Sequence, residues 1–185
     1  DELVDFADGL KDIQARTLRM IGDPVVRIIE DPIRSLRAIR LSQKLNFCIE
    51  PSFRAAIQEK AAEVVRSVLP RRREEYLKIL RLAEPARALL EMYDLGLVHA
   101  LMPSLALIMD EPIRREILLE YLQREHEFVL DSSLTIELYA PLILGFRHAV
   151  EGLPEANNIL DQFMRVELGM FKSEQVRLLG AIDFI

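Results

Sequence analysis

The sequence has no tryptophan, one cysteine and only seven glycines in 185 residues. The single thiol, Cys48, excludes a disulfide framework and a cysteine-based zinc site, and it fits a reducing cytoplasm. Aromatic residues make up 6% of the chain and runs of β-branched residues are scarce, which argues against a sandwich, a barrel or a Rossmann sheet. No apolar stretch reaches the roughly 20 residues that a membrane span requires. Even Leu134 to Val150 is interrupted by Glu137, Arg147, His148, Pro141 and Gly145. No N-terminal segment has the pattern of a signal peptide. The chain begins at Asp1 and ends on Asp183-Phe184-Ile185, and both ends are expected to continue in a longer protein. No glycine-rich loop is present to cradle phosphates; Gly9 and Gly22 stand alone. His99, His126 and His148 lie far apart without partners at ligand spacing, so ordinary roles are expected for all three. Cys48, between Phe47 and Ile49, is expected to be a small core residue. On these absences neither a catalytic site nor a metal site is expected within this chain.

What is present is helical. Half the residues are apolar and 29% are charged, the balance of a chain with a packed core. The fold class expected is all-α, several helices in a first part followed by a helical bundle. Apolar spacings of three and four predict a helix over Gly9–Met20, stopped by Gly22-Asp23-Pro24. Asp31-Pro32 reads as the N-cap and first position of a second helix that runs to about Lys44 and closes at Asn46. Further helices are expected from Ser52 to Val68, from Arg72 to Leu82, from Pro85, over Leu97–Leu101 and from Pro112, the last with Phe128 and Val129 on its apolar arc. Leu134–Val150 reads as a buried central helix kinked at Pro141. Helices near 155–167 and 173–184 complete the bundle.

Charge divides the chain. Residues 1–81 carry 16 basic and 13 acidic side chains, whereas residues 82–185 carry 8 and 17. This places a boundary between two parts near residue 83. Arg16 to Lys44 holds seven basic residues against three acidic ones, so a polyanion such as RNA would meet the first part.

The densest chemistry lies in Glu30-Asp31-Pro32-Ile33-Arg34. Residues three apart at a helix start are neighbours. An Asp carboxylate beside an Arg guanidinium sets acceptors next to a fork of donors. That edge matches adenine and cytosine, each of which offers an exocyclic amine beside a ring-nitrogen acceptor. Guanine and uracil offer a carbonyl beside a ring N–H and are repelled. A good bidentate contact discriminates by about 1–3 kcal/mol. Glu30 is positioned to hold the Arg34 fork in plane. Arg37, Arg40 and Lys44 follow at i, i+3 and i+7 and span about 60° of the helix, a basic stripe suited to phosphate or RNA. The plainer reading makes Asp31 a helix cap and Arg34 its partner.

A longer string decides between them. Asp5, Gly9 and Asp12 form D-x-x-x-G-x-x-D; Gly22-Asp23-Pro24 with Arg27 forms G-D-P-x-x-R; Glu30 to Arg40 forms E-D-P-x-R-x-x-R-A-x-R. Together they closely resemble the neck region of the bacterial poly(A) polymerase and tRNA nucleotidyltransferase family. Leu69 to Leu80 resembles the next family block, with Arg71 and Glu75 at its usual Arg and Glu, and Leu95-Gly96-Leu97 and Met102-Pro103 match the opening of the body. The resemblance is clear over residues 5–105 and diffuse beyond. Leu41 departs from it where an aromatic is common, and Ile13 where Leu is usual.

The resemblance implies that Asp31 and Arg34, with Glu30 as orienter, recognise the base of incoming ATP or CTP using protein side chains in place of a template. It implies a multi-helix neck over 1–83, in which Asp5, Gly9 and Asp12 belong to a head–neck connector, and a helical-bundle, RNA-supporting body over 84–185 that is expected to continue past its last residue. It also implies that the chemistry, attack of an RNA 3′ end on the α-phosphate with magnesium held by paired carboxylates, belongs to an N-terminal catalytic head acting in cis. The Gly-Gly-x-x-Arg-Asp turn and Asp-x-Asp pair of that head do not occur in this sequence. The fragment alone is therefore expected to be inactive. The L-P-R-x-x-x-E-x-L-K-I-L block, Leu69 to Leu80, favours poly(A) polymerase; CCA addition is the alternative, and a non-catalytic helical module binding RNA or protein is the alternative of another class.

Overall fold

A computed structural model describes residues 5–124, 131 and 133–182. The architecture is all-α, with one short two-stranded ladder among the described residues. Helix α1 covers only Gly9–Gln14 and buries nothing. The helix expected to reach Met20 breaks because Arg16 takes a left-handed backbone conformation, φ 49°. Thr17–Leu18 then forms strand β1, paired in parallel with β2, Cys48–Ile49. The ladder holds the N-terminal segment through Cys48 N–H to Arg16 C=O (2.8 Å) and Glu50 N–H to Leu18 C=O (3.0 Å). It also leaves Cys48 exposed, not in the core as expected.

The Asp-Pro signal works at one site and fails at the other. At Asp23-Pro24 it opens α2, Pro24–Glu30, an element the sequence reading did not foresee; the Asp23 carboxylate accepts from Val26 N–H at 3.0 Å. At Asp31-Pro32 it does not start a helix. Asp31 closes α2, Pro32 and Ile33 form a turn, and α3 runs over Arg34–Leu45 with no side-chain cap. Its end is as expected: Asn46 takes the left-handed conformation, φ 52°, and Phe47 N–H donates to Ser42 C=O at 2.9 Å, an orphan carbonyl satisfied at the helix C-terminus.

Helix α4, Pro51–Glu59, gives way to a 3-10 segment, Ala61–Arg66, so Val65 and Val68 are exposed rather than on a buried arc. Helix α5 starts earlier than expected, at Leu69–Leu80, because Pro70 occupies its first turn rather than ending the helix before it. Helices α6 (Pro85–Asp94), α7 (Leu97–Leu101) and α9 (Pro112–Gln123) follow the proline and glycine punctuation, and α8 (Pro103–Met109), opened by Pro103, is a further helix absent from the sequence expectation. Phe128, Val129 and His126 lie outside the described residues, as do Asp183-Phe184-Ile185.

Helix α10, Thr135–Val150, continues through Pro141 and is the most buried element, with Tyr139, Ile143 and Phe146 fully enclosed. Its closest neighbour is α9. At Gly145 an added Cβ would lie 2.9 Å from the Leu118 carbonyl oxygen, so only glycine permits that approach. Helix α11, Ala156–Gln162, passes into a π-helical turn, Phe163–Glu167, and α12 covers Lys172–Ile182. One apolar cluster takes in residues from α2 to α12. Within it α3 packs on α5 and α6, and α5 packs on α10. The base-reading candidates therefore sit on a helix anchored from two sides. No described helix is long and apolar enough to cross a membrane.

Candidate nucleotide-recognition site

The site is built on the α2–α3 turn. Ile33, Leu36 and Ile39 are fully buried and fix one face of α3, which turns Arg34, Arg37 and Arg40 the other way. The Asp31 carboxylate is half-buried and is held from a distant element: Arg71, in the first turn of α5, donates to Oδ2 at 3.0 Å, and Arg37 Nη1 stands 4.0 Å from the same oxygen. No hydrogen bond among the described residues reaches Asp31 Oδ1. Asp31 also holds the Arg71 guanidinium more firmly protonated than usual, mainly through that hydrogen bond.

Arg34 is half-buried, and its one recorded polar contact is from Nη1 to the Met20 sulfur at 4.0 Å. No ion pair to Arg34 is present among the described residues. Asp31 and Arg34 are joined only through the backbone, Arg34 N–H to Asp31 C=O at 3.1 Å. The expected side-chain pairing between them is absent. Glu30 does not orient Arg34 either: it accepts from Arg27 Nη1 at 2.9 Å, one turn back on α2. Asp31 is no helix N-cap, so the plainer reading of this residue fails on geometry. One turn thus carries an oriented carboxylate with an open oxygen beside a guanidinium with no charge partner.

The basic stripe is less free than its spacing suggests. Arg40 Nε donates to Glu75 Oε2 at 2.8 Å and Arg37 Nε stands 3.5 Å from Glu75 Oε1. Lys78 Nζ approaches Glu75 Oε1 at 3.2 Å as well as Glu74 at 2.7 Å. Glu75 is only 2% exposed. One buried carboxylate therefore serves three cations. Lys44 is exposed and has no ion pair among the described residues. Arg71 and Glu75, matched in sequence without a role, prove to be the supports of Asp31 and of the stripe. The signal was their place in a block with family spacing; the pairing itself needs α3 and α5 side by side.

The Asp5 carboxylate caps the start of α1: Oδ1 accepts from Ala7 N–H (3.1 Å) and Gly9 N–H (2.9 Å), and Oδ2 from Leu10 N–H (2.9 Å). These backbone hydrogen bonds, led by Leu10 and Gly9, lower its pKa. Asp12 grips Arg19 beyond β1, with Nη2 to Oδ1 at 3.0 Å. The D-x-x-x-G-x-x-D string is thus a compact cap and clamp. His99 contacts Asp110 at 2.9 Å, and His148 stands 3.8 Å from Glu151. Among the described residues no group of three or more His, Cys, Asp or Glu could hold a metal ion.

Comparison with known proteins gives a consistent picture. A family described as "Probable RNA and SrmB- binding site of polymerase A" matches residues 46–109. Poly(A) polymerase I of Haemophilus influenzae is 37% identical over 105 residues, covering 56% of this chain and 23% of that protein. A CCA-adding enzyme of Levilactobacillus brevis is 36% identical over 95 residues, covering 51% of this chain and 24% of that protein. The chain thus spans about a quarter of the length of these curated relatives. Among solved structures, a CCA-adding enzyme in complex with ATP has the same fold over 97% of this chain and 40% of its own, with a TM-score of 0.73 at 20% identity.

Proposed function

We propose that this chain, a member of the bacterial poly(A) polymerase and tRNA nucleotidyltransferase family, supplies the neck and body of a template-independent RNA nucleotidyltransferase and selects the incoming base through Asp31 and Arg34. The observation that carries the reading is the unsatisfied edge at the α2–α3 turn: Asp31 held through Oδ2 by Arg71, and Arg34 without a charge partner. The Asp31 carboxylate accepts a hydrogen bond from the exocyclic amine of adenine or cytosine. Arg34 donates to the adjacent ring nitrogen. Guanine or uracil turns a carbonyl towards the carboxylate and a ring N–H towards the guanidinium. Each mismatched buried group then costs about 1–3 kcal/mol. Glu30 contributes through Arg27, which it holds at the end of α2, rather than through Arg34. Asp5, Gly9 and Asp12 form the connector to a catalytic head, and residues 84–185 form the body that supports RNA.

Magnesium and the reacting carboxylates belong, on this reading, to a catalytic head in cis. Among the described residues no group of three or more His, Cys, Asp or Glu side chains could hold a metal ion. This chain alone is inactive and binds ATP weakly, because the half of the site that holds phosphate and metal is elsewhere. Poly(A) addition is favoured by the Leu69 to Leu80 block. CCA addition is the second reading, favoured by relatives named for that activity.

The experiment is a product analysis. The full-length protein, an RNA primer and each of the four nucleoside triphosphates are incubated, and the products are sized and sequenced. Long adenylate tails support poly(A) polymerase, short additions of C and A support the CCA reading, and no extension supports a non-catalytic module.

A further inference from the structure

The chain has six methionines, and five of them are core: Met92, Met102, Met109, Met164 and Met170 are each at most 3% exposed. Met20 is the exception. It is half-buried in the turn between β1 and α2, resting against the core beside the exposed Ile21 and Gly22. Its sulfur is the atom that meets Arg34 Nη1, at 4.0 Å. The turn is held in place from α2. Arg27, paired with Glu30, donates from Nε to Ile21 C=O at 3.4 Å, and Gly22 takes φ 85° against the same guanidinium. A thioether is a weak acceptor. Arg34 rests on it without entering a charge-assisted hydrogen bond, which leaves the guanidinium donors for a base. That arrangement depends on the sulfur staying unoxidised.

We infer that Met20 is an oxidation site whose sulfoxide withdraws Arg34 from base recognition. The oxidant is hydrogen peroxide. Its O–O bond breaks, one oxygen atom bonds to the Met20 sulfur, and the other leaves with both hydrogens as water. The sulfur loses two electrons and the peroxide gains the same two. The product is polar, with an oxygen acceptor one bond beyond the sulfur. Arg34 Nη1 is the donor it faces, and Arg34 has no ion pair among the described residues to compete for that donor. A donor committed to the sulfoxide is not available to a ring nitrogen. Oxidation of Met20 therefore weakens ATP use, and reduction of the sulfoxide restores it. The other five methionines are shielded by the close packing that encloses them. The inference rests on the base-reading proposal for the effect on ATP use, and on exposure and contact for the place of the modification.

Cys48 is an exposed thiol that also reacts with peroxide, so the test uses the full-length protein carrying Cys48→Ser. ATP and GTP use are measured before and after hydrogen peroxide, with peptide mass spectrometry for the Met20 sulfoxide and circular dichroism for the fold. ATP use is expected to fall roughly three- to tenfold in step with oxidation of Met20, the effect of one competing hydrogen bond. The ATP:GTP ratio should narrow with it, and methionine sulfoxide reductases A and B should restore both. With Met20→Leu added, the same treatment should leave ATP use at that variant's own untreated value. Equal losses with and without Met20→Leu would overturn the inference. So would complete oxidation of Met20 with ATP use unchanged, or a Met20 still unmodified when circular dichroism already shows unfolding. Failure of the base-reading proposal is seen separately, in untreated Arg34→Ala. A wild-type ATP:GTP ratio there removes the base reader, whereas a narrowed ratio there, beside ATP use that ignores Met20 oxidation, removes only the switch.

Discussion

Arg71 donates from Nη2 to Asp31 Oδ2 at 3.0 Å, across forty residues of sequence. The contact joins the first turn of α5 to the turn before α3 and leaves the second carboxylate oxygen open. On the proposed reading the Asp31 carboxylate meets a base edge and needs a fixed direction, which Arg71 supplies. Removing Arg71 should therefore damage discrimination without removing the reader. On the proposed reading, Arg71→Ala in the full-length protein is expected to lower ATP:GTP selectivity by no more than about fivefold, the modest effect of losing an exposed ion pair. Arg71→Lys should restore part of it. Selectivity unchanged in Arg71→Ala would show that Asp31 needs no such support.

Glu75 holds the other end of the same interface. Glu75→Ala leaves Arg37, Arg40 and Lys78 facing one another without their shared carboxylate. Breaking a buried pair from one side costs about 3–5 kcal/mol, and the partial exposure of the three cations favours the lower figure. Thermal denaturation should show Tm falling by about 6–12 °C. A fall of less than about 2 °C would mean that the cluster contributes little to stability.

Two glycines should respond in opposite directions. Gly180 lies in α12 with nothing within 4 Å of an added Cβ, so Gly180→Ala should stabilise by up to about 1 kcal/mol through helix propensity. In Gly145→Ala the methyl group meets the Leu118 carbonyl oxygen at 2.9 Å and Tyr121 Cβ at 3.0 Å. Overpacking of about 1–3 kcal/mol outweighs the same propensity gain. Urea denaturation of both variants should give shifts of opposite sign.

Glu167 makes stability depend on pH. Burial raises its pKa, against the lowering effect of Ser104, whose N–H and hydroxyl donate to the carboxylate at 3.1 and 2.6 Å. A carboxyl group with a raised folded-state pKa binds its proton more tightly when folded. Its stabilising contribution is complete below the unfolded value and is lost as pH rises through the folded one. Glu167→Gln keeps an acceptor and removes the charge. Denaturant midpoints should shift progressively in favour of the variant as pH rises above the ordinary glutamate value of 4.5; parallel pH profiles would contradict this.

The sequence carried the helices whose ends are marked by Pro or Gly, such as α6, α7 and α9, and it carried the apolar spine of α10. It misread Gly9–Met20 because apolar spacing alone does not reveal a left-handed residue at Arg16 or a strand partner at Cys48. The same Asp-Pro pair capped a helix at Asp23 and closed one at Asp31; the difference lies in Arg71, forty residues away, which takes the Asp31 carboxylate. Asp31 and Arg34 were legible as chemistry. The supports of Asp31 and of the basic stripe were not, because Arg71 and Glu75 act through packing of α5 on α3.

The central claim is tested most directly by Arg34→Ala in the full-length protein, with ATP and GTP use and melting temperature measured on the same preparation. Arg34 has no ion pair among the described residues, so stability should change by less than about 0.5 kcal/mol. Loss of a charge-assisted hydrogen bond of about 1.5–3 kcal/mol should cut ATP use by roughly ten- to hundredfold and narrow the preference for ATP over GTP. A clear fall in melting temperature with the wild-type ratio of ATP to GTP use would show that Arg34 is a structural residue and that base selection lies elsewhere.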